Sequence, residues 1–302
     1  MLVNSKKILE NARKNNYAVG AYNIFNLESI KAVINAVREM NVPVILQASE
    51  SAVNYAGAEN LVAMVKNETK DLSTPVALHL DHGKDIKIIE SCLKAGFTSV
   101  MIDASALPYQ ENVEKTKKIV KMAKKYGATV EAELGELKGV EDTISSSVSL
   151  HTDPAEALKF INETKVDSLA VSIGTAHGIN KGTSQPAIRF DLLKEFENIL
   201  PKNYPLVCHG ASSVNKELQD FYTSTGGVLI NPQGTSISDL KKMATLTPIC
   251  KINIDTDLRL VFTGAFRHSM KENIAYNPRT HLKNVMKAMS EYVVYLSTKV
   301  FK

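Results

Sequence analysis

Eight short apolar runs, rich in β-branched residues, limit what this sequence can fold into: "YAVGAYN", "PVILQAS", "PVALHLD", "TSVMID", "ATVEAEL", "DSLAVSI", "PLVCHG" and "ICKINID". Most are apolar on both faces, the pattern of parallel strands covered by helices. Amphipathic helical stretches lie between them. "ESIKAVINAVREM" stripes Ile30, Val33, Ile34 and Val37, and "DIKIIESCLKAG" stripes Ile86, Ile89 and Leu93 before Gly96. "NVEKTKKIVKMAKKYG" ends at Gly127, and "TDPAEALKFI" opens with Asp153 as an N-cap and Pro154 in the first turn. "RFDLLKEFENIL" and "SVNKELQDFY" are amphipathic too.

Strands alternating with helices build a parallel sheet, and eight is the number that closes a (β/α)8 TIM barrel. The expected fold class is therefore α/β, a TIM barrel with an additional C-terminal helix over about Thr280 to Val300. No linker-like composition break or fixed-period repeat divides residues 1–302, so one domain is the simplest organisation.

The 302 residues are 44% apolar and 23% charged, with a formal net charge of +4, an ordinary globular balance. Basic clusters such as "KKIVKMAKKYG" follow a solvated helix face without interleaved aromatics, which argues against nucleic-acid binding. A diffuse positive balance suits anionic small substrates. Cys92, Cys208 and Cys250 lack disulfide-framework or zinc-finger spacing and point to a reducing compartment. The N-terminus has no apolar signal core, and no segment is long enough to span a bilayer. A cytoplasmic protein is expected.

Each apolar run stops at polar groups. In chain order these are Asn23; Gln47 and Ser49; Asp81 and His82; Asp103 and Ser105; Glu131 and Glu133; the run into "IGTAHG" with His177; His209 and Gly210; and Asn253, Asp255 and Asp257. Such residues also cap helices. Active sites of parallel barrels nevertheless sit at the C-terminal strand ends, and three of these ends carry histidine. His82, His177 and His209 are 95 and 32 residues apart, a separation that is no metal signature by itself. Barrel closure would gather them, and three imidazoles with one open position suit a catalytic zinc. His79 falls inside a strand and His268 and His281 on helices; these, with His151, read as structural. Asp81, beside His82, suits an orienting or proton-moving role. Asp103 and Glu133 have Lys84, Lys138 or a second cation as candidate partners.

The stretch "GELKGVEDTISSSVS" after the fifth run reads by composition as a solvated loop, with a mobile lid carrying Glu141 as the functional alternative. "GTAHGINKG" and "HGASS" place small residues where backbone amides can approach an anion, the second ahead of a helix expected to start near Ser213. Arg259, just inside the next helix, can grip another anion bidentately.

"LHLDHG", "GTAHG", "VCHGASS" and "KINIDTDLR", in that order, resemble the class II, metal-dependent fructose-1,6-bisphosphate aldolases, in the shorter branch that includes tagatose-bisphosphate aldolases. The resemblance runs from "GAYNIFNLESI" to "NIDTDLRLVFTGAFR". It implies a zinc-dependent TIM barrel with His82, His177 and His209 on the catalytic zinc, and Asp103 and Glu133 at a second divalent or monovalent cation. It implies Asp81 as the proton-transferring acid/base and Glu141 as the lid glutamate. Gly178, Lys181, Gly210, Ala211, Ser212 and Asn253, Ile254, Asp255 and Thr256 fall on positions that hold dihydroxyacetone phosphate. It puts Asn23 and Ser49 on site-facing positions and Arg259 where the distal phosphate is gripped, with a reach from a neighbouring subunit as the alternative. Homodimers or homotetramers are the family's assemblies.

Two departures stand out. The phosphate loop reads "GASS" where many relatives have two glycines before the serine. "FYTSTGGVLINPQGTSISDLKKM" is unlike its counterpart and carries no proposed ligand. The tagatose enzymes tend to have a small residue where Asp255 stands, so "NIDTDLR" leans toward fructose. A metal-dependent barrel hydrolase would end its first strand in His-x-His, whereas this one ends "AYNIF". A non-enzymatic sugar-phosphate binder on the same barrel would not need three histidines beside Asp81.

Overall fold

The structure is a computed structural model and describes residues 1–135, 139–141, 144–146, 151–179 and 188–301. Its strands are β1 (Val19–Asn23), β2 (Val44–Ser49), β3 (Val76–Gly83), β4 (Ser99–Ile102), β5 (Thr129–Leu134), β6 (Gly139–Glu141), β7 (Ile144–Ser146), β8 (Ser168–Val171), β9 (Leu206–Cys208) and β10 (Ile249–Ile254). Eight of them close a parallel barrel in the order β1-β10-β9-β8-β5-β4-β3-β2. The eight apolar runs are these strands. Their near-continuous burial reflects the barrel lumen on one side and helices on the other.

The helices are α1 (Ser5–Lys14), α2 (Leu27–Met40), α3 (Glu50–Ala56), α4 (Ala58–Thr69), α5 (Ile86–Ala95), α6 (Tyr109–Lys124), α7 (Pro154–Thr164), α8 (Phe190–Ile199), α9 (Lys216–Ser224), α10 (Ile237–Leu246), α11 (Thr256–Glu272) and α12 (Pro278–Lys299). The cap expected at Asp153 forms: its carboxylate accepts from Glu156 N, with Pro154 in the first turn. The additional C-terminal helix is α12, which packs on α2 and α11. The N-terminal segment, whose Ile8, Leu9 and Ala12 share one helical stripe, forms α1. These three join Val19, Ala21, Ile45, Ala77 and Cys250 in a small cluster that plugs the barrel floor.

Two local readings change. After β5 the polar stretch is not wholly a loop, because β6 and β7 pair antiparallel, Val140 opposite Ser145. β-branched Val140 and Ile144 give this short ribbon its strand preference. The helix expected near Ser213 begins at Lys216, capped by Asn215, whose side chain accepts from Leu218 N. Among the described residues all three cysteines are buried and free, and no helix is long and apolar enough to cross a membrane.

Candidate active site

Barrel closure brings together the C-terminal ends of β1, β2, β3, β4, β5, β8, β9 and β10. At β3 the backbone departs from regular pairing: its register with β4 shifts between Leu80 and Gly83, and His82 adopts φ +48°. Successive side chains of a regular strand point to opposite faces. This irregularity turns both Asp81 and His82 into the site, as bulges near active sites commonly do.

His82 and His209 meet edge to face, with His82 Nε2 2.8 Å from His209 Nδ1. The His177 ring lies 5.0 Å from that of His82, and the three histidines offer nitrogens all within 4.8 Å of one another. His82 Nδ1 faces Asp103 Oδ2 at 3.0 Å, and His209 Nε2 faces Glu131 Oε1 at 2.7 Å. With His209 donating from Nε2 to Glu131, its Nδ1 accepts from His82 Nε2, while His82 donates from Nδ1 to Asp103. Burial opposes charge on His82, but Asp81, Asp103 and Glu133 outweigh it and lift its pKa to about 10. Burial and the His82 charge push His209 down to about 4. Burial and repulsion from Asp103 raise Glu133 well above the carboxylate range. Its Oε2 is buried with no hydrogen-bond partner among the described residues, 3.6 Å from His209 Nδ1.

Asp81 is held by amides. Its Oδ1 accepts from Asn253 Nδ2 and its Oδ2 from Asn23 Nδ2 and Gln47 Nε2, each at 3.1 Å. Burial would raise its pKa, but the positive charges of His82 and Lys251 outweigh this and lower it, so the group is a carboxylate. Gln47 Oε1 and Asn253 Oδ1 are buried acceptors without a hydrogen-bond partner among the described residues, so donors such as sugar hydroxyls suit this wall.

Two openings meet at Asn23. A narrow cavity is lined by Asn23, Asp81, His177, Gly178, Gly210, Ala211, Ser212, Asn253 and Thr256. A wider cleft of about 410 Å³ is lined by Asn23, Ser49, Asp255, Arg259 and the Phe25 and Phe262 rings, among others. Arg259 Nε donates to Asp255 Oδ1 at 2.7 Å within the same chain, which aims it over this cleft. Ile254 lines neither opening; strand alternation sends its side chain into the helix-facing core, so only its backbone is available to a ligand. Lys181 and Lys138 lie outside the described residues, as does the side chain of Glu141, whose backbone belongs to β6. Asp103 pairs with His82 and Ser105 instead of exposed Lys84.

Several contributors were not assigned from sequence. Lys251, fully buried in β10, donates to both oxygens of Glu131, at 3.2 and 2.9 Å. A lysine within an apolar run is a signal, because an ammonium enters a core only when paired. Asp257, read as a strand-end site group, instead accepts from the amides of Ser213 and Val214. The segment around Gly234, expected to carry no ligand, also has a part: Thr235 N donates to Ser212 O, and Gly234 packs on Ser213. His79 is internal, with its Nδ1 2.8 Å from Ser99 Oγ, and His281 bridges Ser269 and Ala275.

Residues 3–301 match the model of the family described as fructose-bisphosphate aldolase class-II. The chain belongs to the class II fructose-bisphosphate aldolases. The fructose-bisphosphate aldolase of Thermus caldophilus is 42% identical over 296 residues, covering 97% of this chain and 96% of that protein. The one from Helicobacter pylori strain J99 is 42% identical, covering 95% and 96%. Among solved structures, the YdjI aldolase from Escherichia coli K12 superposes with a TM-score of 0.81 at 30% identity, covering 99% of this chain and 97% of that one.

For this class II aldolase the side chains fit a divalent cation. Three imidazoles converge, a buried carboxylate oxygen lacks a partner, and Asp103, Glu131 and Glu133 concentrate negative charge around them. His82, Asp103 and Glu133 form a second group of ligand atoms within 4.8 Å.

Proposed function

We propose that this chain reversibly cleaves fructose 1,6-bisphosphate into dihydroxyacetone phosphate and glyceraldehyde 3-phosphate, the aldol step of glycolysis and gluconeogenesis. The observation that carries it is the convergence of His82, His177 and His209 beside an amide-held Asp81, at the junction of two openings. The three histidines hold a zinc ion, and Asp103 and Glu133 with His82 offer a second cation position. The zinc supplies Lewis-acid polarisation of the substrate carbonyl.

The chain's own groups do the rest. Asp81 accepts the proton of the C4 hydroxyl as the C3–C4 bond breaks and returns it in condensation. Asn23, Gln47 and Asn253 fix its orientation, so the base is placed before substrate arrives. Glu141, on the β6–β7 ribbon, exchanges the proton at the reacting carbon of dihydroxyacetone phosphate. Gly178, Gly210, Ala211, Ser212, Asn253 and Thr256 hold that product and its phosphate at the narrow cavity they line, and Lys181, Asp255 and the Ile254 backbone serve the same product. Ser49 and Arg259 serve the wider cleft, where Arg259 meets the distal phosphate. No step needs a lysine Schiff base. The enzyme works in the cytoplasm as a homodimer or homotetramer.

The test compares cleavage of fructose and tagatose 1,6-bisphosphates, each with and without borohydride. Faster turnover of the fructose isomer, unaffected by borohydride, is expected. A strong preference for the tagatose epimer overturns the substrate assignment, and inactivation by borohydride in the presence of substrate overturns the mechanism.

A further inference from the structure

α12 stands outside the strand–helix repeat, yet it reaches the loop that floors the narrow cavity. Its inner stripe, Val285, Met289, Val293 and Leu296, is buried against the barrel's helical layer. Tyr292 sits beside that stripe and donates its hydroxyl to Asp257 Oδ2 at 2.9 Å. Ser213 Oγ lies 3.2 Å from the same hydroxyl. The single phenolic proton goes to the carboxylate, so Ser213 donates to Tyr292. Asp257 also accepts from Ser213 N and Val214 N, both at 2.8 Å. The result is a closed ring: Ser213 to Tyr292 to Asp257 and back to the Ser213 amide.

That ring holds an unfavourable backbone. Val214 has φ +41°, a left-handed conformation that a β-branched residue adopts only when its surroundings impose it. Two adjacent amides on one buried carboxylate provide the constraint, and Tyr292 fixes the carboxylate's rotamer. The same loop contributes Gly210, Ala211 and Ser212 to the cavity wall, and Ser212 Oγ accepts from Asp255 N. Tyr295, one turn along, makes only a longer contact with this region, its hydroxyl 3.4 Å from Asn215 Nδ2.

We propose that Tyr292 is a positioning residue for phosphate binding, acting through Asp257 to hold the 210–214 loop in the conformation that presents it to the substrate. This rests on the assignment of that loop to the phosphate of dihydroxyacetone phosphate. The extra C-terminal helix is thereby part of the substrate site without touching substrate.

The experiment compares Tyr292→Phe, Tyr295→Phe and Ser212→Ala in the full chain, reading KM and kcat for the bisphosphate, inhibition by inorganic phosphate, bound metal, and amide exchange of the 210–214 peptide. Losing one hydrogen bond to the carboxylate predicts that Tyr292→Phe raises KM and weakens phosphate inhibition by about three- to tenfold, with kcat within about twofold. Exchange at Ser213 and Val214 should accelerate, while metal content and Tyr295→Phe stay at wild-type values. If Tyr292→Phe fails to fold, Ser213→Ala, which cuts the ring at its other bond to Tyr292, should raise KM and weaken phosphate inhibition in the same direction by a smaller factor. Weakened phosphate binding in Ser212→Ala with none in Tyr292→Phe overturns the inference alone. Unchanged phosphate binding in Ser212→Ala overturns the phosphate assignment of the loop and the inference with it.

Discussion

At the scale of single residues, the site separates groups that do chemistry from groups that keep them in place. Asp81 is surrounded by three side-chain amides that hydrogen-bond it as a carboxylate. Asp81→Asn keeps the shape and removes the base, so kcat should fall by roughly 10²- to 10⁴-fold while metal content is retained, as steady-state rates and metal analysis will show. Lys251 works at one remove, neutralising Glu131, which in turn orients His209. Lys251→Met leaves a buried carboxylate uncompensated and should cost about 3–5 kcal/mol in denaturant unfolding, with part of the loss recovered in the Glu131→Gln, Lys251→Met double variant. The sequence made Asp81 and the three histidines legible because each ends an apolar run. Lys251 and Glu131 were harder to assign, because their meaning depends on facing each other across the lumen from strands 120 residues apart.

At the scale of elements, the alternation of runs and stripes made the barrel strands and most helices readable. The elements it did not place are those whose reason to form is tertiary. α1 has a local amphipathic stripe, but its place as a floor plug follows only from the closed barrel. The β3 irregularity that aims His82 leaves no trace in composition. The turn between β9 and α9 is longer than the amphipathic pattern suggested, because Ser213 and Val214 give their amides to Asp257 instead of to a helix. The segment 230–236 buttresses that turn. A Cβ on Gly234 would lie 1.8 Å from Ser213 O. Gly234→Ala should therefore shift the turn, lowering thermal stability by about 1–3 kcal/mol and raising KM for the bisphosphate more than it lowers kcat. Equal loss of both kinetic parameters would detach this segment from substrate binding.

At the scale of the whole molecule, closure of eight strands gathers residues that the chain scatters from Asn23 to Arg259. Three histidines that carry no metal signature by spacing acquire one by geometry. The concentration of buried carboxylates around them is costly unless cations sit among them, and the unpartnered Glu133 oxygen is the local sign of that cost. The most direct measurement of the account is cleavage of fructose 1,6-bisphosphate by enzyme stripped with a chelator, then titrated with zinc. The account predicts loss of cleavage on stripping and its return with added zinc, with both steps abolished in His209→Ala. Full cleavage by the stripped enzyme would contradict it.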